Sequence, residues 1–367
     1  MSFITSIGTA LPPHQLTQTM VADFMIKAMD LNEQDSRILK ALHRNSGIQT
    51  RHSVLPDYGK TQSSFFPGKD GMDSFPSTKK RMELYRQHAA PLSMDAIERC
   101  LKGTSFHKKE ITHLIVVSCT GMYAPGLDID IVNQMGLNSG IHRTCINFMG
   151  CYAAFNAIRI ADSICRSDHQ AKVLIVCTEL CSIHFQRENT PDNLLANTLF
   201  ADGAAAVLMQ SQPLSGINLK TSGFYCALEP RGANDMGWLI GDYGFEMKLS
   251  SEVPHFIGDA IPQLTSNLLS HYGLNGKSIR HYAIHPGGKK ILEVITKVLG
   301  LDEQATKHSM QVLKSHGNMS SPTVLFVIDA ILKTLTPQDE GHQVLSFAFG
   351  PGLTLESMIL TIHFQPK

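Results

Sequence analysis

The 367-residue chain is predicted to form an α/β fold built from two related halves. Three observations predict it. First, short apolar runs recur that are nearly continuous rather than alternating: HLIVVS at 113–118, KVLIVC at 172–177, AAAVLM at 204–209 and VLSFAF at 344–349. Runs of this kind are strands covered on both faces. Second, helix-period patterns lie between them, clearest in AAFNAIRIADSI (153–164) and VLFVIDAILK (324–333). Strands alternating with helices argue for an α/β chain with largely parallel sheets. Third, the order of elements repeats. Gly150-Cys151 precedes a helix and then the strand at 173–176, and Gly317-Asn318 precedes a helix and then the strand at 344–347. Each half closes on another apolar strand, 204–209 and 355–364. A joint near Gln212-Pro213-Leu214-Ser215-Gly216 divides the chain into halves of 1–215 and 216–367.

Composition supports a well-covered fold. Apolar residues are 43% of the chain and charged residues only 17%, against roughly 25% charged in an average soluble domain. Formal net charge is zero, so there is no general basic field for nucleic acid. An anionic ligand must be met by a local group of cations. The N-terminus lacks a basic region followed by an apolar run, and no stretch of 18 apolar residues predicts a membrane span. The eight cysteines stand at 100, 119, 145, 151, 165, 177, 181 and 226, with no Cys-x-x-Cys pair. Together these features predict a cytoplasmic protein with mostly buried thiols. Residues 53–80, rich in Pro, Gly, Ser and Phe, are predicted to be a long surface loop, with a lid or dimer contact as the functional alternative.

Three segments carry chemistry. Phe148-Met-Gly-Cys151-Tyr-Ala-Ala154 places a thiol at a turn just before a helix. There the positive end of the helix dipole favours thiolate; the competing reading is a packed core cysteine. Ile284-His285-Pro-Gly-Gly288 puts a histidine at the C-terminal end of a short strand, the edge where α/β folds bind ligands. Ser315-His-Gly-Asn318-Met-Ser-Ser321 puts an amide before a helix. Alone, each of the last two reads as structural; together the three supply a nucleophile, a base and an amide donor.

The segments GCYAA, IHPGG, GNMSSPT and FGPGLTLE, in this order and at this spacing, resemble those of type III polyketide synthases, the chalcone synthase superfamily. The resemblance runs from Ile7-Gly-Thr-Ala-Leu-Pro-Pro13 to Gly350-Pro-Gly-Leu-Thr354. It implies a thiolase fold, αβαβα in layers, and a homodimer with no metal or organic cofactor. The implied substrates are acyl-CoA and malonyl-CoA. Cys151 matches the nucleophile that carries starter and growing chain as a thioester. His285 matches the residue that keeps it as thiolate, and His285 with Asn318 matches the pair that binds the thioester oxygen. Decarboxylation of malonyl-CoA itself generates the carbanion, so no carboxylate base is required, and the enolate needs fixed donors. Phe200 matches the gatekeeping phenylalanine at the mouth of the CoA tunnel. Met247 stands where plant members carry a second aromatic. Pro351, in FGPGLTLE, is expected at the site. The basic cluster of plant members is poorly kept, leaving Lys40, Arg44 and Arg51 as candidates for the CoA phosphates.

Starter choice is expected to follow the cavity wall. Thr120, Ala124 and Cys181 match acyl-pocket positions, and small residues there resemble bacterial alkylpyrone synthases. His184 and Trp238 match positions that are often small in plant members, so they are expected to narrow the elongation cavity, unless Trp238 is plain core packing. A medium or long fatty starter with few extensions follows, giving an alkylpyrone or alkylresorcinol. The nearest alternative is an initiating 3-oxoacyl-acyl-carrier-protein synthase, which carries His-Gln-Ala-Asn where this chain has His285-Pro-Gly-Gly. A hydroxymethylglutaryl-CoA synthase wants a glutamate base with no motif here. A Cys-His-Asn hydrolase and a non-catalytic dimeric scaffold complete the alternatives.

Overall fold

A computed structural model describes residues 1–60, 64–67, 75–104 and 106–366. In the first half the strands are β1 (Phe3–Ala10), β2 (His14–Thr17), β3 (Thr50–Ser53), β4 (His113–Ser118), β5 (His142–Asn147), β6 (Lys172–Leu180) and β7 (Asp202–Gln210). The second half contributes β8 (Gly216–Leu228), β9 (Met236–Gly241), β10 (Gly244–Leu249), β11 (Ile279–Ile284), β12 (Gln343–Gly350) and β13 (Thr354–Gln365). Helices α1 (Gln18–Ala28), α2 (Glu33–Asn45), α3 (Thr78–Leu101), α4 (Leu127–Met135), α5 (Ala153–Ser167) and α6 (Pro191–Leu199) belong to the first half. Helices α7 (Val253–His271), α8 (Lys289–Val298), α9 (Lys307–His316) and α10 (Thr323–Leu332) belong to the second.

Nine strands form one sheet in the order β11-β12-β13-β8-β1-β7-β6-β4-β5. The first half contributes β5-β4-β6-β7-β1. The second repeats that order as β11-β12-β13-β8, without a counterpart of β5. Within the sheet the halves are paired through β1 and β8, at Phe3 opposite Lys220 and Ile4 opposite Leu219.

The expectation of largely parallel sheets is corrected. Parallel pairing is confined to β4 with β5 and β6, and to β11 with β12; the other neighbours are antiparallel. One cause is visible in the connections. Only residues 351–353 join β12 to β13, too few for a crossover, so the two must run antiparallel. The apolar runs are continuous because both faces are covered, whichever way the neighbours run.

Three cores show that covering. One packs α1, α3 and α4 on the first half of the sheet. A second surrounds α5 and α10 between the two halves. The third packs α7, α8 and α9 on the outer face of the second half. This is helix, sheet, helix, sheet, helix. Helix α10 has no polar face to expose: Thr323 through Asp329 are all buried, and its one acid is bonded to Lys333. A helix apolar all round belongs in the middle layer.

The 53–80 segment is only partly a surface loop. Residues 61–63 and 68–74 of that expectation lie outside the described residues. Tyr58, Phe66 and Phe75 are buried with Phe24 and Phe185. The Arg81 guanidinium lies against both the Phe66 and Phe75 rings and donates to the carbonyls of Pro76, Ile183 and Phe185. The aromatics visible in the sequence therefore staple this segment to the core rather than decorating its surface.

Candidate active site

Cys151, His285 and Asn318 come from three different turns and line one cavity of about 360 Å3. Cys151 precedes α5, whose helical residues begin at Ala153 after the Tyr152 cap. The turn before it is conformationally demanding. Phe148 has φ 61° and Gly150 φ 81°. A β-carbon on Gly150 would lie 2.5 Å from Pro351 Cδ, so this position needs glycine for both backbone and space. Ser320, beyond Asn318, also has positive φ (58°). Non-glycine residues held this way gather where geometry is imposed by the surroundings.

His285 directly follows β11, and its backbone N–H is held by Phe347 O (2.8 Å). Asn318 lies between α9 and α10. Its backbone is laced to the Phe200 segment: Asn318 N donates to Leu199 O (3.0 Å), and Ala201 N donates to Asn318 O (2.8 Å). Phe200 and Asn318 thus face each other as a small parallel bridge. The Asn318 side chain accepts from Ser320 N (2.8 Å) and donates to Gly287 O (3.2 Å). Its Oδ1 lies 4.0 Å from Cys151 Sγ. The fixed Oδ1 leaves one amide N–H available to the cavity.

Electrostatics qualify the expected thiolate. Burial pushes the Cys151 thiol up to about 12, the Glu179 charge adds to this, and hydrogen bonds with Ser320 and Asn318 oppose it. Burial likewise pushes the His285 imidazole down to about 3. Both ring nitrogens of His285 are buried without a hydrogen-bond partner, although the residue is only 1% exposed. An unpartnered buried imidazole is costly and is ready for a proton or an oxygen that arrives with a ligand.

Other expected residues fall into two groups. Phe200, Met247, Thr120, Cys181, His184, Trp238 and Pro351 all line the cavity. Met247 on β10 sits opposite Trp238 on β9. One wall is rigid. The His184 ring stacks on Phe245 (centroids 4.3 Å, 10°), and Trp238 meets both edge-on. His184 Nδ1 accepts from Phe245 N (2.9 Å) and Nε2 donates to Thr120 O (2.7 Å). That pattern fixes one neutral tautomer, and burial holds the imidazole down near 3. Trp238 Nε1 donates to Cys119 O (2.6 Å), so it is more than core packing.

The second group departs from expectation. Ala124 sits on an exposed loop between β4 and α4 and does not line it. Lys40 and Arg44 are exposed, while α2 faces the cavity with Leu42 and Asn45. Each cation stands two residues from Leu42, about 200° around the helix, hence on its far side. Arg51 lines the cavity but is only 4% exposed. Its Nη1 donates to Phe200 O (2.5 Å), beside the buried carboxyl of Asp202. It braces Phe200 from inside and cannot reach a phosphate in solvent.

Sequence reasoning missed Glu179. Its carboxylate is fully buried on β6 and accepts from Ser321 Oγ (2.6 Å), Thr120 Oγ1 (2.8 Å), Cys119 N (2.9 Å), Cys119 Sγ (3.3 Å) and Ser118 Oγ (3.3 Å). Burial raises its affinity for a proton against these donors. It ties the end of β4 to the Asn318 turn. The available signal was one acid inside the run 173–181, which is apolar apart from Thr178 and so demands a buried network. Among the described residues no group of three or more His, Cys, Asp or Glu could hold a metal ion, and no helix is long and apolar enough to cross a membrane.

Comparison with known proteins adds independent support. Residues 1–213 match the N-terminal domain of chalcone and stilbene synthases, and residues 226–363 match the C-terminal domain. An alpha-pyrone synthesis polyketide synthase-like protein of Mycobacterium tuberculosis is 31% identical over 99% of this chain and 91% of its own length. A probable polyketide synthase of Dictyostelium discoideum is 30% identical over 98% of this chain, which spans only 11% of that much longer protein. Among solved structures, the C-terminal type III polyketide synthase domain of a type I/III hybrid from Dictyostelium superposes with a TM-score of 0.89 at 29% identity, covering 98% of this chain and 99% of that one. A polyketide synthase from the brown alga Ectocarpus siliculosus gives 0.90 at 28% identity, covering 98% of each.

Proposed function

Because the chain belongs to the chalcone and stilbene synthase family, as a malonyl-CoA-condensing type III polyketide synthase of thiolase fold, we propose that Cys151, His285 and Asn318 are its catalytic residues. The observation that carries this is the shared cavity: a buried thiol, a buried imidazole with both nitrogens unpartnered, and an amide fixed by its own turn. In loading, Cys151 Sγ attacks the carbonyl of an acyl-CoA. Its proton passes to His285 and on to the departing CoA thiolate. Malonyl-CoA then loses CO2, and its thioester oxygen becomes an enolate. His285, kept neutral by burial, donates one N–H, and Asn318 donates the second. The enolate carbon attacks the Cys151 thioester, and the Cys151 sulfur leaves. Fixed donors aimed at a developing oxyanion supply most of such a rate gain.

The starter is a medium or long fatty acyl group, and the product an alkylpyrone or alkylresorcinol. Cys181 and Thr120 supply small residues to the cavity wall, and beside them the packed rings of His184, Phe245 and Trp238 narrow it. A cramped elongation side favours few extensions. Without Ala124, the acyl route passes Cys181. The mycobacterial relative's name mentions alpha-pyrone synthesis, which agrees with this reading. The acyl-carrier-protein alternative has no comparable support. The protein acts as a cytoplasmic homodimer of two-half subunits, 1–215 and 216–367. Mass spectrometry of products from an acyl-CoA panel with malonyl-CoA tests the function. Extended pyrones or resorcinols from C8 or longer starters are expected; products from acetyl-CoA alone would defeat the fatty-starter reading.

Cys181 gives a sharper test. Each buried methylene is worth about 0.8 kcal/mol. Cys181→Phe should therefore lower kcat/KM for long acyl-CoAs by orders of magnitude while sparing acetyl-CoA. Ala124→Phe, outside the cavity of its own chain, should leave the preference unchanged. The reverse pattern would reinstate the route past Ala124.

A further inference from the structure

The cavity opens between the end of α2, residues 250–254 and the start of α8. CoA carries its phosphates at the far end of the pantetheine arm, so they come to rest at this mouth. The cations expected there are elsewhere: Lys40 and Arg44 turn away, and Arg51 is buried. Two lysines do line the mouth, Lys289 and Lys290, and both are exposed. We infer that Lys289 and Lys290 hold the phosphates of the CoA substrates, an assignment that rests on the reading of the cavity as a CoA-thioester site.

Three features support it. Lys289 and Lys290 directly follow His285-Pro-Gly-Gly288, so the segment that supplies the catalytic imidazole also supplies the cations. The Lys289 stem is braced: a β-carbon on Gly47, just past α2, would lie 3.3 Å from both Cβ and Cδ of that lysine. A stem packed across the chain surrenders less freedom when its ammonium binds. Finally, the two lysines are the first two residues of α8, a ten-residue helix with no side-chain cap and no acid in its first turn. Its free N–H groups add to the field of the ammonium groups.

One group competes. Glu293 lies 3.6 Å from Lys289 Nζ and 3.8 Å from Lys290 Nζ. Such exposed pairs are weak, and a phosphate can displace the carboxylate. Glu293 therefore sets how tightly CoA is held, and its removal acts in the opposite sense to removal of the lysines.

Steady-state kinetics with malonyl-CoA and with malonyl-N-acetylcysteamine, which lacks the phosphates, test the assignment. Lys289→Ala/Lys290→Ala should raise KM for malonyl-CoA about tenfold, the loss of two weak charge pairs. It should leave kcat, and KM for the truncated thioester, within twofold. Added salt should raise the wild-type KM and barely move that of the double variant. Glu293→Gln should lower KM for malonyl-CoA only. Lys40→Ala/Arg44→Ala should change neither. An unchanged malonyl-CoA KM in the lysine variant, or an equal rise with both substrates, overturns the assignment alone. A wild type that does not turn over malonyl-CoA overturns it together with the reading beneath it.

Discussion

At Cys151 two physical tendencies oppose each other. Burial and the Glu179 charge favour the thiol, while the start of α5 and the Ser320 and Asn318 side chains favour the thiolate. Burial alone keeps both Cys151 and His285 neutral; in the proposed loading step, proton transfer to His285 would set an attracting pair against that burial. The sign of the effect follows. If His285 stabilises the thiolate, His285→Gln removes the acceptor and leaves burial unopposed, so the Cys151 pKa rises. Alkylation by limiting iodoacetamide, followed against pH, should then show a midpoint at least one unit higher in His285→Gln than in wild type. Coincident profiles would remove His285 from the activation of Cys151. Asn318→Ala should slow condensation by about two to three orders of magnitude and spare loading of Cys151, measured by intact mass. Cys151→Ala should show the complement, with no acyl-enzyme but residual CO2 release from malonyl-CoA.

Among elements, the turns before α5 and α10 and the β9–β10 hairpin matter most. Gly150→Ala meets both a left-handed backbone and Pro351 at 2.5 Å. A loss of about 2–4 kcal/mol in unfolding free energy is expected, together with lost activity as Cys151 shifts; denaturant titration measures the first. Trp238→Ala removes the hydrogen bond to Cys119 O and the edge of the His184–Phe245 stack. Products should lengthen by one or more malonyl units, and an unchanged product mass would show that the wall does not set chain length. How much of this was legible depended on locality. The strand at 113–118 and the α5 and α10 helices were readable because their periodicity is local. So were Cys151, His285 and Asn318, each bracketed by glycine at an element end. Ala124, Lys40 and Arg44 do not line the cavity of the single chain, because facing depends on packing: α2 buries Leu39 and His43 and turns Leu42 and Asn45 to the cavity. Arg51 was taken for a surface cation because nothing local announces that Phe200 O and Asp202 lie beside it.

At the scale of the molecule, the sheet ends on β5, whose residues 142–145 and 147 are exposed along an edge paired only with β4. An open edge invites another strand, which fits the proposed homodimer. Light scattering should give twice the 40.4 kDa chain mass. If β5 lies at the interface, Cys145, exposed in a single chain, should react slowly with a thiol reagent until the dimer is diluted apart. A monomeric mass with fast Cys145 labelling would count against that arrangement.

The bridge between Phe200 and Asn318 has a consequence for how such a protein can change over time. Phe200, proposed to sit at the doorway, Asn318, the proposed enolate donor, and the buried Arg51 strut form one hydrogen-bonded body. A mutation that reshapes the doorway is transmitted to the amide that does chemistry, and selection meets both effects together. The wall of His184 and Trp238 is joined to that body less directly: its side chains hold the carbonyls of Thr120 and Cys119, and Glu179 links those residues to Ser321 beyond Asn318. A change at His184 or Trp238 therefore reaches the Asn318 amide through more intermediate bonds than a change at Phe200, and selection meets its effects more nearly one at a time.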